Sequence, residues 1–312
     1  HQYSIDEFFM DVTDSYHRFN STVQAFCERL QKEIHEETGI RCTIGIGSNM
    51  LLSKVAMDIE AKHTANGVAE WRYQHVPEKL WPIQPLRDFW GINRKTEAKL
   101  NKRGIFTVGD LAQYPYQYLK RDFGILGVDM HLHANGIDQS KMREKYKVNN
   151  PSICKSQILM RDYEFEEAKV VMQELIEDVA SRVRARKKLA RTIHFSFGYS
   201  DEGGVNKQYT LEEGTNLEKD IFKVVNYFAN QLCDKQALYR TLSVSLTQFI
   251  DENERQMNLF IDEYERKRDE KLAKTIDHLH VKYGKGIVSK AISYTEAGTK
   301  HGRLGLMAGH KM

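Results

Sequence analysis

The sequence predicts an α+β protein of several domains, and three observations carry that prediction. Its 312 residues exceed the ~100–200 that one domain usually takes. Two turn-rich breaks interrupt it, one where three of the five prolines fall within residues 77–85 and one at "KVNNPS", residues 147–152. Between the second break and residue 250, β-prone runs and long amphipathic stretches alternate in the order βαββαβ, the split βαβ arrangement of a small α+β domain.

The first region, residues 1–84, opens with "QYSID" and "FFMDV", short β-prone runs that predict a hairpin or bent strand pair around Asp6 and Glu7. Phe19, Val23, Phe26, Cys27, Leu30 and Ile34 recur at helical spacing, and Gly39 supplies a stop. "IRCTIGIG" predicts a strand, and "NMLLSKVAMDIEAK" a helix with Asn49 as its N-cap. Residues 85–150 read as short helices separated by glycine turns. From 151 to 250 the expected elements are strand 153–160, helix 165–188, strands 191–199 and 205–211, helix 215–233 and strand 240–249. The tail, 251–312, begins polar, predicts a charged helix near 262–283 and ends glycine-rich.

Composition is that of a globular protein, with 41% apolar and 10% aromatic residues. No apolar run approaches the ~20 residues of a membrane helix and no signal-peptide pattern opens the chain, so a soluble, cytoplasmic protein with no membrane partner is expected. Cys27, Cys42, Cys154 and Cys233 show no CxxC spacing, so neither a zinc site nor a disulfide framework is indicated and reduced packing residues are expected. The net charge of +3 conceals an uneven distribution. Residues 1–85 hold 8 basic and 12 acidic side chains, whereas 86–150 hold 12 and 7. An acidic segment beside a basic one suits a metal site next to a polyanion grip, although solvated faces give the same count.

Asp6 and Glu7 pose the chemical question. Neighbours on a regular strand point to opposite faces, so an adjacent pair converges only at a bend. Two carboxylates converging there form a hard, all-oxygen site suited to Mg²⁺ shared with substrate phosphates, against the plain alternative of a solvated turn. In the second region, "FWGINRKTEAKL" places Gly91, Asn93, Arg94, Lys95 and Thr96 where a glycine turn enters a helix, whose free N–H groups and dipole make a phosphate seat. Gly104 opens a second turn, so the stretch resembles a helix-hairpin-helix.

"YSIDEFFMDVT" resembles the palm motif of the Y-family translesion DNA polymerases, and the resemblance continues through "TIGIGSNMLLSKVAMDIEAKHTANG" and "LWPIQPLRDFWGINRKTEAKLNKRGIFTVGDLA". The chain is similar to the UmuC-like branch over nearly its whole length. That resemblance implies the C-terminal part of a polymerase palm in 1–84, a helix-hairpin-helix thumb in 85–150, a DNA-binding little finger in 151–250, and a tail in 251–312 with a clamp-binding motif. It implies error-prone nucleotidyl transfer past damaged bases, as in the SOS response, on primer-template DNA and deoxynucleoside triphosphates. Two Mg²⁺ ions would be held with Asp6 and Glu7, and Lys62, with Lys54 as a neighbour, would meet the triphosphate. Lys155, Ser156, Arg161, Arg191 and Arg240 would grip the duplex through its phosphates.

The family's other metal-binding aspartate, the aromatic residue after it and the fingers domain have no counterpart after His1. The expectation is therefore a truncated chain that binds DNA and extends primers poorly alone. "QMNLF" is similar to the peptide that docks replication proteins on the bacterial sliding clamp, with Gln256, Leu259 and Phe260 as its anchors. The competing reading is a non-catalytic, clamp-tethered DNA-binding protein; a helix-hairpin-helix nuclease or glycosylase fits less well, since nothing resembles its catalytic residues. An acid pair splayed apart, or wholly committed to basic partners, would overturn the polymerase reading.

Overall fold

The computed structural model describes residues 1–19, 22–144, 148–254 and 263–304, with the backbone of 306–307 and 310–311. The chain forms two units, His1–Tyr146 and Lys147–Met312.

In the first unit, the opening runs do not become sheet strands. They meet through one antiparallel bridge, Gln2 to Phe8, and the reciprocal bonds of His1 and Phe9, each 2.8 Å. Helix α1, Val23–Thr38, starts where Thr22 accepts from the Ala25 N–H and ends at Gly39, whose φ of 73° is the left-handed conformation glycine tolerates. Its half-buried stripe packs around Cys27 on strand β1, Ile44–Gly47. β1 pairs in parallel with β2, Val68–Trp71, a strand the sequence pattern did not announce because four residues are too few to show a period. Between them α2, Met50–Ile59, is capped by Asn49 as expected, its side chain accepting from the Leu52 N–H at 2.8 Å. Four short helices follow: α3 (Arg94–Asn101), α4 (Val108–Gln113), α5 (Tyr116–Phe123) and α6 (Ile125–Ala134). One core runs from Leu51 on α2 through Trp71, Leu80, Phe89, Leu100 and Leu111 to Ala134, with no break at residues 84–85.

The second unit is the βαββαβ arrangement itself. Strands β3 (Ile153–Tyr163), β4 (Lys188–Tyr199), β5 (Gly204–Thr215) and β6 (Tyr239–Asp251) form an antiparallel sheet in the order β3-β6-β4-β5. Helices α7 (Phe165–Arg184) and α8 (Glu218–Leu232) cover one face. Alternation decides which face: Ile193, Phe195 and Phe197 enter the core with Leu242, Val244 and Leu246, while the residues between them face away. The charged tail helix, α9, spans Glu263–Tyr283. The segment after it returns to α7, where Thr299 and Arg303 bond to the buried carboxylate of Glu174. Cys27 and Cys233 are buried as expected, but Cys154 is exposed because its β3 position faces away from the helices.

Candidate active site and nucleic-acid interface

The hairpin tip brings the acids to one bend. The Tyr3 and Ser4 N–H groups both donate to the Glu7 carbonyl at 3.0 Å, closing the turn over Ile5 and Asp6. Each carboxylate is anchored by one oxygen: Asp6 Oδ1 accepts from the Ser4 hydroxyl at 2.7 Å, and Glu7 Oε1 from Lys54 Nζ at 2.8 Å. Asp6 Oδ2 and Glu7 Oε2 have no hydrogen-bond partner among the described residues. Lys54 is buried on α2 and also meets Asp58 at 3.1 Å, whose other oxygen holds Lys62 at 2.7 Å. Residues 54, 58 and 62 recur every fourth position, so they line one helical face. Burial pulls the Lys54 ammonium down, but Glu7 and Asp58 outweigh it and hold its pKa above the ordinary lysine value.

This geometry answers whether divalent metal fits. Among the described residues no group of three or more His, Cys, Asp or Glu side chains is placed to hold an ion. Mg²⁺ needs only one or two protein carboxylates when substrate phosphates and water complete its shell. Two carboxylates, each fixed through one oxygen and open at the other, match that donor set, and the anchors are the supporting contacts that metal-binding carboxylates carry. The basic partner takes one Glu7 oxygen and leaves the second. Lys54, expected as a neighbour of Lys62 at the nucleotide, pairs here with Glu7 and Asp58; Lys62 remains about half exposed.

In the helical region, Gly91 adopts φ of 94° with open space where a Cβ would stand, and Asn93 caps α3 by accepting from the Thr96 N–H at 2.9 Å. Arg94 and Lys95 are exposed in the first turn, with no ion pair among the described residues. Cations at a helix N-terminus oppose its dipole at ~0.3–1 kcal/mol each. An anion seated on the same turn reverses that penalty. Gly104 forms the second turn at φ of 76°, before α4, whose Thr107 and Asp110 cap each other.

The expected sheet residues separate. Ser156 lies on the face away from the helices, opposite Ser243 and Ser196. Arg191 is exposed and makes no ion pair among the described residues. Lys155 alternates to the helix side, where its charge reaches Asp178. Arg161 forks onto Glu167 and lies 4.0 Å over the Tyr163 ring, and Arg240 pairs with Asp162 at 3.2 Å. Basic type alone does not reveal such partners. The open face is instead largely uncharged, with His194, Ser196, Ser243 and Ser245 at its centre, a pattern visible in the alternation of "IHFSF".

Comparisons with known proteins match these parts in order. The impB/mucB/samB family model covers residues 1–58, the helix-hairpin-helix motif of the same family 73–105, and its C-terminal domain 150–259. UvrX of Bacillus subtilis (strain 168) is 40% identical over 315 residues, 100% of this chain and 74% of that protein. DNA polymerase IV 2 of the same organism is 33% identical over 99% of this chain and 74% of its own. The chain belongs to the Y-family of DNA polymerases. A solved chimera of the Y-family polymerases Dbh and Dpo4 shares its fold, with a TM-score of 0.58 at 19% identity over 76% of this chain and 68% of the other.

Within this Y-family chain, Gln256, Leu259 and Phe260 lie outside the described residues. No helix among the described residues is long and apolar enough to cross a membrane. Sequence reasoning missed Asp58, which links the two lysines; its signal was the four-residue spacing in "KVAMDIEAK".

Proposed function

We propose that this protein is a DNA-directed DNA polymerase of the translesion type, with Asp6 and Glu7 at its reacting centre. The observation that carries the reading is the hairpin tip, where two anchored carboxylates each keep one oxygen open, next to the Lys54–Asp58–Lys62 row. Asp6 and Glu7 would hold Mg²⁺, which supplies charge neutralisation on the triphosphate and lowers the pKa of the attacking hydroxyl. The chain's own residues do the positioning. Ser4 and Lys54 orient the carboxylates, and Asp58 keeps Lys62 extended until a phosphate replaces it.

The helix-hairpin-helix, through Gly91, Asn93, Arg94, Lys95 and Thr96, takes a primer-template phosphate. In the second unit, Ser156 and Arg191 offer the sheet's duplex contacts, Arg161 and Arg240 act only where DNA displaces or adds to their present partners, and Lys155 lies on the helix side of the sheet. The motif at Gln256, Leu259 and Phe260 would tether the protein to a bacterial sliding clamp. Likeness to the family supports low fidelity and a role in the damage response.

Single-nucleotide incorporation on a primer-template with Mg²⁺, together with duplex affinity, tests the proposal. Asp6→Asn and Glu7→Gln should each lower incorporation by about 10²- to 10³-fold with duplex affinity unchanged, the scale of losing a transition-state charge contact. Incorporation that survives both changes sinks the assignment. Leu259→Ala with Phe260→Ala should abolish clamp capture and leave DNA affinity intact.

A further inference from the structure

Trp90 stands between the carboxylate hairpin and the phosphate turn, and no role described so far uses it. Its indole Nε1 donates to the Tyr3 hydroxyl at 2.9 Å, and the two rings meet edge to face with centroids 5.8 Å apart. Phe9 closes the group, 5.6 Å from Tyr3 and 6.5 Å from Trp90. On α6, the His133 ring stacks on the indole at 6.3 Å and 7°. Tyr3 belongs to the hairpin tip: its N–H bonds the Glu7 carbonyl, and Lys54 Nζ lies 5.9 Å over its ring. Gly91, the left-handed residue of the turn into α3, follows Trp90 directly.

We propose that Trp90 is a positioning residue that couples the seating of a DNA phosphate on the Gly91 turn to the placement of the Asp6–Glu7 hairpin. The inference rests on the polymerase reading above and adds to it the residue that aligns its two parts. The hairpin is an exposed bend held by a few backbone bonds, one isolated bridge and the Glu7–Lys54 pair, with no place in a sheet, the kind of segment that opens locally. The turn beside Trp90 carries Arg94 and Lys95, without ion pairs among the described residues, and gains most order when an anion arrives. Between them stands a rigid ring with two side-chain torsions, stacked on one side and joined on the other by a directional N–H to hydroxyl bond. Ordering the turn fixes the indole, the indole fixes the Tyr3 hydroxyl, and the hairpin then has less freedom to lose when nucleotide binds. Reacting groups misplaced by 1 Å lose orders of magnitude in rate, so this alignment matters to the chemistry.

Amide hydrogen exchange on the full chain, with and without a primer-template duplex, tests the coupling. In the unaltered protein, DNA should slow exchange at Asn93–Thr96 and also at Tyr3, Ser4 and Phe9. For the hairpin the slowing should be roughly 2- to 10-fold, the factor that one ordinary hydrogen bond supplies. Trp90→Phe keeps a ring and removes the donor; Tyr3→Phe removes only the acceptor and leaves the packing intact. Both variants should keep the DNA effect at Asn93–Thr96 and lose it at the hairpin, a pattern that general destabilisation does not produce. Protection at α3 with none at the hairpin of the unaltered chain overturns the coupling and leaves the polymerase reading standing. Hairpin protection that persists in both variants shows that Trp90 is not the link. No protection at Asn93–Thr96 removes the DNA-binding premise, and the coupling with it.

Discussion

Lys54 keeps only 10% of its side chain exposed, so its charge has to be satisfied inside the protein, and Glu7 and Asp58 satisfy it. Removing one member of a fully buried pair costs ~3–5 kcal/mol. Glu7 and Asp58 keep 29% and 28% of their side chains in water, which lowers the expectation for Lys54→Met to about 1–2 kcal/mol in urea unfolding. The same change should lower incorporation more than it lowers duplex affinity, because Glu7 loses its anchor; equal losses in both would place Lys54 at the DNA instead. Asp122 supplies a pH signature. Hydrogen bonds from Arg121 first, and then Arg103, hold its carboxyl down at about 2, against 3.8 ordinarily. A group depressed on folding stabilises above its unfolded value, and that contribution disappears as pH falls through the folded one. The difference in melting temperature between the unaltered protein and Asp122→Asn should therefore shrink between about pH 4 and pH 2, as followed by circular dichroism. A difference that stays constant over that range would refute the assignment.

At the scale of elements, glycines and caps shape the proposed interface. An alanine at Gly91 meets no atom within 4 Å, so its cost lies in the backbone at φ of 94°, about 1–2 kcal/mol. Gly91→Ala should lower stability by that amount and weaken duplex binding; weakened binding at unchanged stability would mean that the conformation is not strained. Most elements were legible because their signals are local. Asn49 and Asn93 at the caps, Gly39 at the end of α1 and the alternation along β4 each act over one turn or one pleat. β2 was not legible, since its partner β1 lies 24 residues earlier and supplies the pairing that four residues cannot announce. The tail was half legible: the charge pattern predicted α9, but not what holds it. Arg184 is one of its anchors, buried between Asp277 at 2.6 Å and Glu218 at 3.1 Å, beside the Lys219–Asp269 and Lys274–Glu252 pairs. Arg184→Ala leaves two carboxylates facing each other and should cost about 2–3 kcal/mol. Amides of α9 should then exchange faster while those of β4 do not; equal acceleration in both would show that α9 is not held separately.

For the whole molecule, the adjacent acids, the glycine turn and the order of motifs were readable as a polymerase pattern, because each is a short sequence bound to one backbone shape. The fate of individual charges was not. Arg161 and Arg240 look like Arg191 in sequence, yet Glu167 and Asp162 claim the first two, and only the folded strand brings Asp162 to Arg240 across 78 residues. That difference determines how binding responds to salt. Each phosphate neutralised releases counterions and adds about −0.9 to the slope of log affinity against log salt. Arg94, Lys95 and Arg191 are free of ion pairs among the described residues, so three contacts set an expected slope near −3 for duplex DNA. Replacing Arg94, Lys95 or Arg191 by alanine should each flatten that slope by about one. Arg240→Ala should leave it unchanged, because an arginine held by Asp162 neutralises no phosphate and so releases no cation from the DNA. Affinities measured by fluorescence anisotropy across salt concentrations decide between the two sets. A slope that flattens for Arg240 and not for Arg191 would mean that DNA breaks the Arg240–Asp162 pair on binding and that the ion pairs of the free protein do not foretell its grip.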